Sequence, residues 1–447
     1  MRNMLEFSAG VSLVELRGRD VRATLFSIFF SICILFSTSC IFADSEQKKD
    51  VNSYTLSAEK YQQAIHYARA KYIIYFVSSA YGLILAWMRI SRRVGSRFRT
   101  WAENISHRRF LQVIIITPLI VLTLAILSLP IEIYRQVLAL KYAQSVQTWG
   151  SWFWDWAKVQ LIGCFILSIL VWILYGIIRR SPRRWWFYYW LASLPIIVFI
   201  LFVSPVLIDP LFFKFESLEK KAPVLVEQIE KVVNHGGLTI PRERMFFMNA
   251  SEKLNSLNAY VTGFGSSKRV VVWDTTISKM TVPQILYVFG HEMGHYVLHH
   301  IIKGLIFAAV LIFVFLFLGY RYTHSLISKY GIGWDIRGVD DYASLTVFIF
   351  LLSLFGFIAT PVISNFTRIQ EHQADIYGLE VIHGIIAEPQ KAAAEAFQIL
   401  GEVNLSDPNP NAFIKFWLYD HPPLNERLQF VRNYDPWSKG EPPKYVP

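Results

Sequence analysis

The chain has 447 residues, 53% of them hydrophobic, 16% aromatic and 17% charged, and carries a formal net charge of +11. So little charge beside so much apolar and aromatic side chain excludes an ordinary soluble multidomain protein. The positive balance does not imply a nucleic-acid partner, because the arginines concentrate in two short loops between apolar runs, as in proteins that fix their orientation in a lipid bilayer.

Residues 1–43 read as a signal peptide or an N-terminal anchor. Arg17, Arg19 and Arg22 precede an apolar stretch, and Ala43 offers a small residue for cleavage. Cys33, Cys40 and Cys164 lie in or beside apolar stretches and are expected to act as small hydrophobes without a chemical role. Ser37 stands where a lipoprotein signal built on Cys40 would prefer an aliphatic residue.

A bilayer crossing takes ~20 apolar residues. Runs suited to it occur at 72–90, 111–134, 159–178 and 187–208, which places a four-span membrane region at 44–212. Arg89, Arg92, Arg93, Arg97, Arg99, Arg108 and Arg109 separate the first two, and Arg179, Arg180, Arg183 and Arg184 separate the third and fourth. Short cationic loops stay cytoplasmic. The alternation then carries the polar segment 213–300 to the outer side, and a two-span hairpin within 301–363, with runs at 305–320 and 344–363, returns 364–447 to that same side. The expected architecture is a mainly α, polytopic membrane protein whose zincin-like peptidase domain, with a small β element, is assembled from 213–300 and 364–447. The expected location is a bacterial inner membrane with the site facing the periplasm.

Within the polar segment, 222–234 reads as a helix ended by Gly236-Gly237, 268–273 as a strand, and 249–267 and 403–410 as loops. Thr281 and Gln284 form a Thr-x-x-Gln capping box opening a helix over 285–299. That helix contains His291-Glu292-Met293-Gly294-His295. Positions i and i+4 share a helix face, so two imidazoles can grip one metal ion there. Zinc lowers the pKa of a water it holds to ~7, and Glu292 is placed to take the proton during attack on a peptide carbonyl.

A catalytic zinc takes three protein ligands and keeps one open position. Glu371 is the expected third, returned to the correct side by two crossings. His372 competes, but on a helix it points about 100° away from its neighbour. Asp375, at i+4 from Glu371, shares the Glu371 face and can receive a ligand imidazole N–H. The plainer reading of Arg368, Glu371 and Asp375 is a solvated helix start laced with ion pairs.

Several segments together carry a family resemblance. They are His291-Glu-Met-Gly-His295-x-x-x-His299, Arg368-x-x-Glu371-x-x-Ala374-Asp375, Asn258-Ala259-Tyr260-Val261-Thr262-Gly263, Asp274-Thr275 and His421-Pro422-Pro423-x-x-Glu426-Arg427-Leu428. Upstream, Tyr54 to Tyr61 and Asp209 to Phe215 join them. In this order they resemble the type I CAAX prenyl proteases, the a-factor-converting membrane zinc metalloendopeptidases, over residues 54–432. The resemblance implies one zinc per chain on His291, His295 and Glu371, with Glu292 as general base and helices around a large intramembrane chamber. It also implies that Asn258, Ala259 and Tyr260 lie along the substrate and that His421 stabilises the oxyanion. An extended peptide can pair with a strand edge, and a donor aimed at developing charge contributes several kcal/mol. Without the family, Asn258 reads as a turn residue and His421 as a surface histidine before a Pro-Pro turn. His299 and His300 fit either site tuning or interfacial packing and are left outside the catalytic set.

The expected partners are the lipid bilayer and a polypeptide substrate, membrane-associated, lipidated or C-terminally processed as in CAAX processing, with no nucleic acid. The signal-like start and the basic loops face the site outward, unlike the cytosol-facing eukaryotic relatives, which puts a prenylated substrate in question. The non-enzymatic alternative is a zinc-stabilised membrane chaperone or scaffold. A site-2-type intramembrane protease would need an Asp ligand in a later span, and a transporter would need charged spans. No span carries a suitable Asp, and the six are nearly free of charge.

Overall fold

The computed structural model describes residues 54–263 and 268–446, so the signal or anchor read at 1–43 lies outside the described residues. Six helices among them are long and apolar enough to cross a membrane. Four precede the polar domain: α1 (Ala58–Ser91), α3 (Arg109–Lys141), α4 (Trp149–Arg180) and α5 (Trp185–Val203), the last prolonged by a π-turn at Ser204–Ile208. Two follow the motif helix: α10 (His300–Trp334) and α11 (Leu345–Ile382). Their apolar surface stays open, with Phe165, Phe199 and Val206 among the large exposed side chains, as a lipid-facing surface requires.

The first basic loop folds into a short amphipathic helix, α2 (Val94–Ile105), that docks on the α10–α11 turn. Arg99 is buried there, 2.5 Å from Asp341 and 3.1 Å from Asp335, and Arg337 grips Glu103 at 2.8 and 2.9 Å. From the second basic loop, Arg179 reaches the Tyr342 hydroxyl at 3.1 Å and the Asp340 carbonyl at 3.3 Å. Both arginine-bearing loops and the turn between the last two spans therefore meet at one end of the bundle.

At the other end sits a domain built around a four-stranded sheet, β1 (Phe215–Ser217), β2 (Met245–Met248), β3 (Ala259–Thr262) and β4 (Arg269–Trp273), in the order β1-β2-β4-β3. Only the β2–β4 pair is parallel. The stretch 249–267 was expected to be loop throughout, yet β3 lies inside it as an edge strand pairing with β4. Its four residues are too few for a periodic signal, and the pairing that makes it a strand comes from tertiary contact. Helices α6 (Leu218–Lys221), α7 (Pro223–His235), α8 (Asp274–Lys279) and the motif helix α9 (Val282–Val297) cover the sheet. After the last span come α12 (Pro389–Asn404), α13 (Ala412–Leu418) and α14 (Leu424–Asn433). One core joins the two halves, from Val226, Ile229 and Val272 to Phe289, Tyr377, Phe397 and Leu428. Buried Glu380 clamps the tail by accepting the backbone N–H groups of Lys444, Tyr445 and Val446 at 2.6, 2.7 and 3.0 Å.

Two helix bounds differ from expectation. The motif helix starts at Val282, with Gln284 Oε1 capping the Thr281 N–H at 2.9 Å, and stops at Val297 rather than 299. His299 adopts φ 58°, the left-handed region, and turns the chain into α10. The helix of the sixth span outruns its apolar run: α11 continues unbroken past residue 363 to Ile382.

Candidate metal and catalytic site

The site forms where α9 crosses α11, and glycines set how closely the two approach. A Cβ on Gly294 would meet the Tyr377 Cβ at 3.0 Å and the Ala374 Cα at 3.2 Å; one on Gly378 would meet the His291 backbone at 3.0 and 3.2 Å. Because backbone cannot yield as a flexible side chain does, Gly378→Ala forces the helices apart. Displacing ligands in this way is expected to weaken zinc affinity at least tenfold, a loss like that from damaging a metal site's outer contacts. Chelator competition measures it. Gly356→Ala, where nothing lies within 4 Å of the added carbon, is the control and should change nothing.

The crossing brings together His291, His295 and Glu371, a group whose ligand atoms all lie within 4.8 Å of one another. The two Nε2 atoms are 3.2 Å apart, and the Glu371 carboxylate lies 3.2 Å from His291 and 3.4 Å from His295. His291 and Glu371 are buried. The hydrogen bonds behind the rings decide what the Nε2 atoms can do. His291 gives its Nδ1–H to Asp375 at 2.9 Å, leaving Nε2 directed at the cluster. The Gln373 carbonyl oxygen can only accept, so His300 gives it the Nε2–H at 3.0 Å. His300 Nδ1 must then accept from His295 Nδ1–H, also at 3.0 Å, and His295 Nε2 is left with a lone pair.

Two lone-pair nitrogens thus face a carboxylate, and Glu371 Oε2 is buried without a hydrogen bond. This donor set fits a divalent cation such as zinc, which binds imidazole nitrogen and carboxylate oxygen. The charges agree. Burial and the His291 charge pull His295 down to about 3, keeping it neutral. Against its own burial, the Asp375 and Glu371 carboxylates raise His291 to about 10, so this place draws a cation, proton or metal.

Asp375 is itself held. Buried Arg427 grips it at 2.9 Å through Nε and 2.6 Å through Nη2, Tyr287 donates at 3.3 Å, and the guanidinium lies 4.2 Å from the Phe397 ring centre. Arg368 stands elsewhere. It bonds the carbonyls of Lys415, at 2.9 Å, and Tyr419, pinning the segment that leads into His421 rather than touching a ligand. His372 packs its ring on Phe430, 4.6 Å between centres, away from the cluster.

Glu292 lines a cavity of about 630 Å³ together with Asn258, Tyr419 and His421. Burial, with help from Glu371 and against His291, pushes its carboxyl up to about 7. His421 Nε2 lies 3.1 Å from Glu371, and its Nδ1 bonds Asp420 at 2.8 Å. The His421 imidazole holds Asp420 below the usual carboxylate range. Asn258 is exposed just before β3, while Ala259 is buried in the core, so Ala259 offers a substrate only its backbone. Tyr260 packs on the other sheet face with Phe213 and Trp273.

Sequence reasoning gave no role to Arg427, although it was part of a quoted motif, and left His300 undecided. A buried partner for Asp375 could have been sought among the cations of the matching segments. Nothing local marks Gln373.

Residues 219–435 match the family described as peptidase family M48, and residues 46–214 match one described as CAAX prenyl protease N-terminal, five membrane helices. An uncharacterized metalloprotease of Bacillus subtilis, YhfN, is 33% identical over 373 residues, covering 82% of this chain and 84% of the relative. CAAX prenyl protease 1 of Saccharomyces cerevisiae is 27% identical over 320 residues, 68% of either chain. The crystal structure of Ste24p from S. mikatae matches with a TM-score of 0.71 at 22% identity, over 88% of this chain and 92% of that one. At that identity the structural match speaks for the fold alone.

Proposed function

The chain belongs to peptidase family M48 and is a membrane zinc metalloendopeptidase, and from that premise we propose that it cuts membrane-associated or C-terminally processed polypeptides at the α9–α11 crossing. The observation that carries the reading is the convergence of two imidazole lone pairs and a carboxylate oxygen without a hydrogen bond beside the half-buried Glu292 carboxyl. His291, His295 and Glu371 would hold one zinc, which when bound polarises the scissile carbonyl and acidifies the attacking water.

This chain's own residues do the rest. Glu292 takes the proton of the attacking water and returns it to the departing amine. His421, its Nδ1–H held by Asp420, serves as an imidazolium whose Nε2–H donates where negative charge develops on the carbonyl oxygen. The exposed edge of β3 pairs with the main chain of an extended substrate, which puts the reading direction along Asn258, Ala259 and Tyr260. Asp375 with Arg427, and His300 with Gln373, fix the ring orientations.

The same reading places the site outside the cytoplasm. Glu371 lies about 39 Å along α11 from Leu345, more than the ~30 Å of hydrocarbon, and from the end where both arginine-bearing loops gather. A reporter fused after Pro447 should work only on the outer side; activity confined to the cytoplasm would reverse the orientation. For the activity itself, purified protein is offered a peptide library. Internal cleavage that chelation removes and zinc restores supports the reading, and binding of peptides without any cutting would favour the scaffold instead.

A further inference from the structure

One charged side chain in the catalytic cavity is used by nothing described so far. Ala68, Lys71, Tyr72 and Tyr75 lie at helical spacing on one face of α1, and all four line the cavity that contains Glu292 and His421. Lys71 is exposed to that space. Among the described residues it has no ion pair; its ammonium rests 4.4 Å from the centre of the Tyr67 ring.

The acids around the cavity are engaged elsewhere. Asp407 accepts the Tyr72 hydroxyl at 2.9 Å on one oxygen and the Asn409 N–H at 3.0 Å on the other. Asp420 is bonded to His421. Asp375, beneath the cavity, consumes Arg427. Glu292 and Glu371 belong to the proton transfer and the metal. Asp407 acts on Lys71 only from beyond ion-pair distance, so Lys71 is the one cation of this lining that forms no ion pair with an acid among the described residues, and an aromatic face supports its ammonium without neutralising it. A lysine kept unpaired where the polypeptide must lie is a receptor for an anion.

We propose that Lys71 is a specificity residue that binds a carboxylate of the polypeptide substrate, so that the enzyme selects the bond it cuts by its distance from a negative group. The inference rests on the peptidase reading and extends it to substrate class. Two sources supply the chemistry, a free C-terminal carboxylate or an Asp or Glu side chain, and the ammonium accepts either. A flexible ammonium acts as a point charge, so charge matters here more than fork geometry.

The test separates binding from cutting. In the full-length Glu292→Gln protein, fluorescent peptides of one sequence are compared as free acid and as C-terminal amide, with and without a Glu placed at successive positions. The free acid should bind about tenfold tighter than its amide, the usual worth of a hydrogen bond to a charged group. If instead a Glu at one position restores tight binding to the amide, and the free acid alone has no advantage, the source is a side chain. Adding Lys71→Met should erase whichever preference is seen while leaving affinity for the neutral peptide unchanged, and Lys71→Arg should keep it. In the active enzyme, Lys71→Met should raise KM for the anionic peptide with little change in kcat. A preference that survives Lys71→Met, or an equal loss for neutral and anionic peptides, overturns the proposal. Anionic lipid that competes with the peptide only when Lys71 is present would also overturn it. Because binding is read without turnover, failure to cleave any peptide counts against the peptidase reading and leaves this outcome readable.

Discussion

Replacing Glu292 by Gln is expected to lower kcat for peptide cleavage by about 10²–10⁴-fold, the span measured for general acid–base groups, with zinc content and KM near wild type. The side chain projects into the cavity beside the three-residue cluster without joining it, so the amide keeps the volume and loses only the proton acceptor. The pH dependence follows with a definite sign. Burial raises the carboxyl to about 7, and below its pKa a carboxyl is protonated and useless as a base. The rate must therefore rise with pH along an acid limb. Bound zinc adds positive charge that favours the carboxylate, which puts the limb at or below about pH 7. Steady-state kinetics from pH 5 to 8 check it, and the residual activity of Glu292→Gln should lack the limb. Loss of zinc in that variant would show instead that Glu292 holds the metal.

Arg427→Met is expected to be the most damaging change outside the metal ligands. Asp375 is completely buried and Arg427 nearly so, and the guanidinium supplies two of the four hydrogen bonds that the carboxylate receives. Removing it strands a buried charge, which costs about 3–5 kcal/mol. It also frees Asp375 to turn from His291 Nδ1, so zinc should dissociate faster. Thermal unfolding in detergent measures the first effect and chelator-driven zinc release the second. Arg427→Lys should recover only part of either, since an ammonium cannot form the two-pronged contact. Replacing Asp375 and Arg427 together by apolar residues should restore much of the stability but not the zinc retention, because the His291 N–H is then left without an acceptor.

How far the sequence carried varies with the range of the interactions involved. His291, Glu292 and His295 were legible because one helical turn contains all three, and the membrane spans because each is a continuous apolar run. Glu371 was reachable by counting crossings and was read on a helix, yet the continuity of that helix with the last span was not legible. The apolar signal stops near Ile363, while α11 continues to Ile382 because Ala374, Gly378 and Leu379 pack into α9 and the core. The strand β3 was hidden in the same sense, since it is a strand only through its antiparallel pairing with β4, which begins at Arg269. Arginine patterning was read as topology alone. Arg99 and Arg179 also fasten the loop between the last two spans, a use that depends on contacts 236 to 242 residues away for Arg99 and 161 to 163 for Arg179. His300 stood nine positions after His291, past the end of the motif helix, and only the turn at His299 folds it back on His295.

The central claim is that one zinc, held by His291, His295 and Glu371, makes this chain a peptidase. Its most direct measurement is a titration of zinc into metal-free protein while cleavage of a fluorogenic peptide is followed. Activity should rise linearly and break at one zinc per chain, and Glu371→Ala should show neither the break nor the activity at the same zinc concentrations. Cleavage that persists in the metal-free protein, or a Glu371→Ala curve that overlays the wild type, would contradict it.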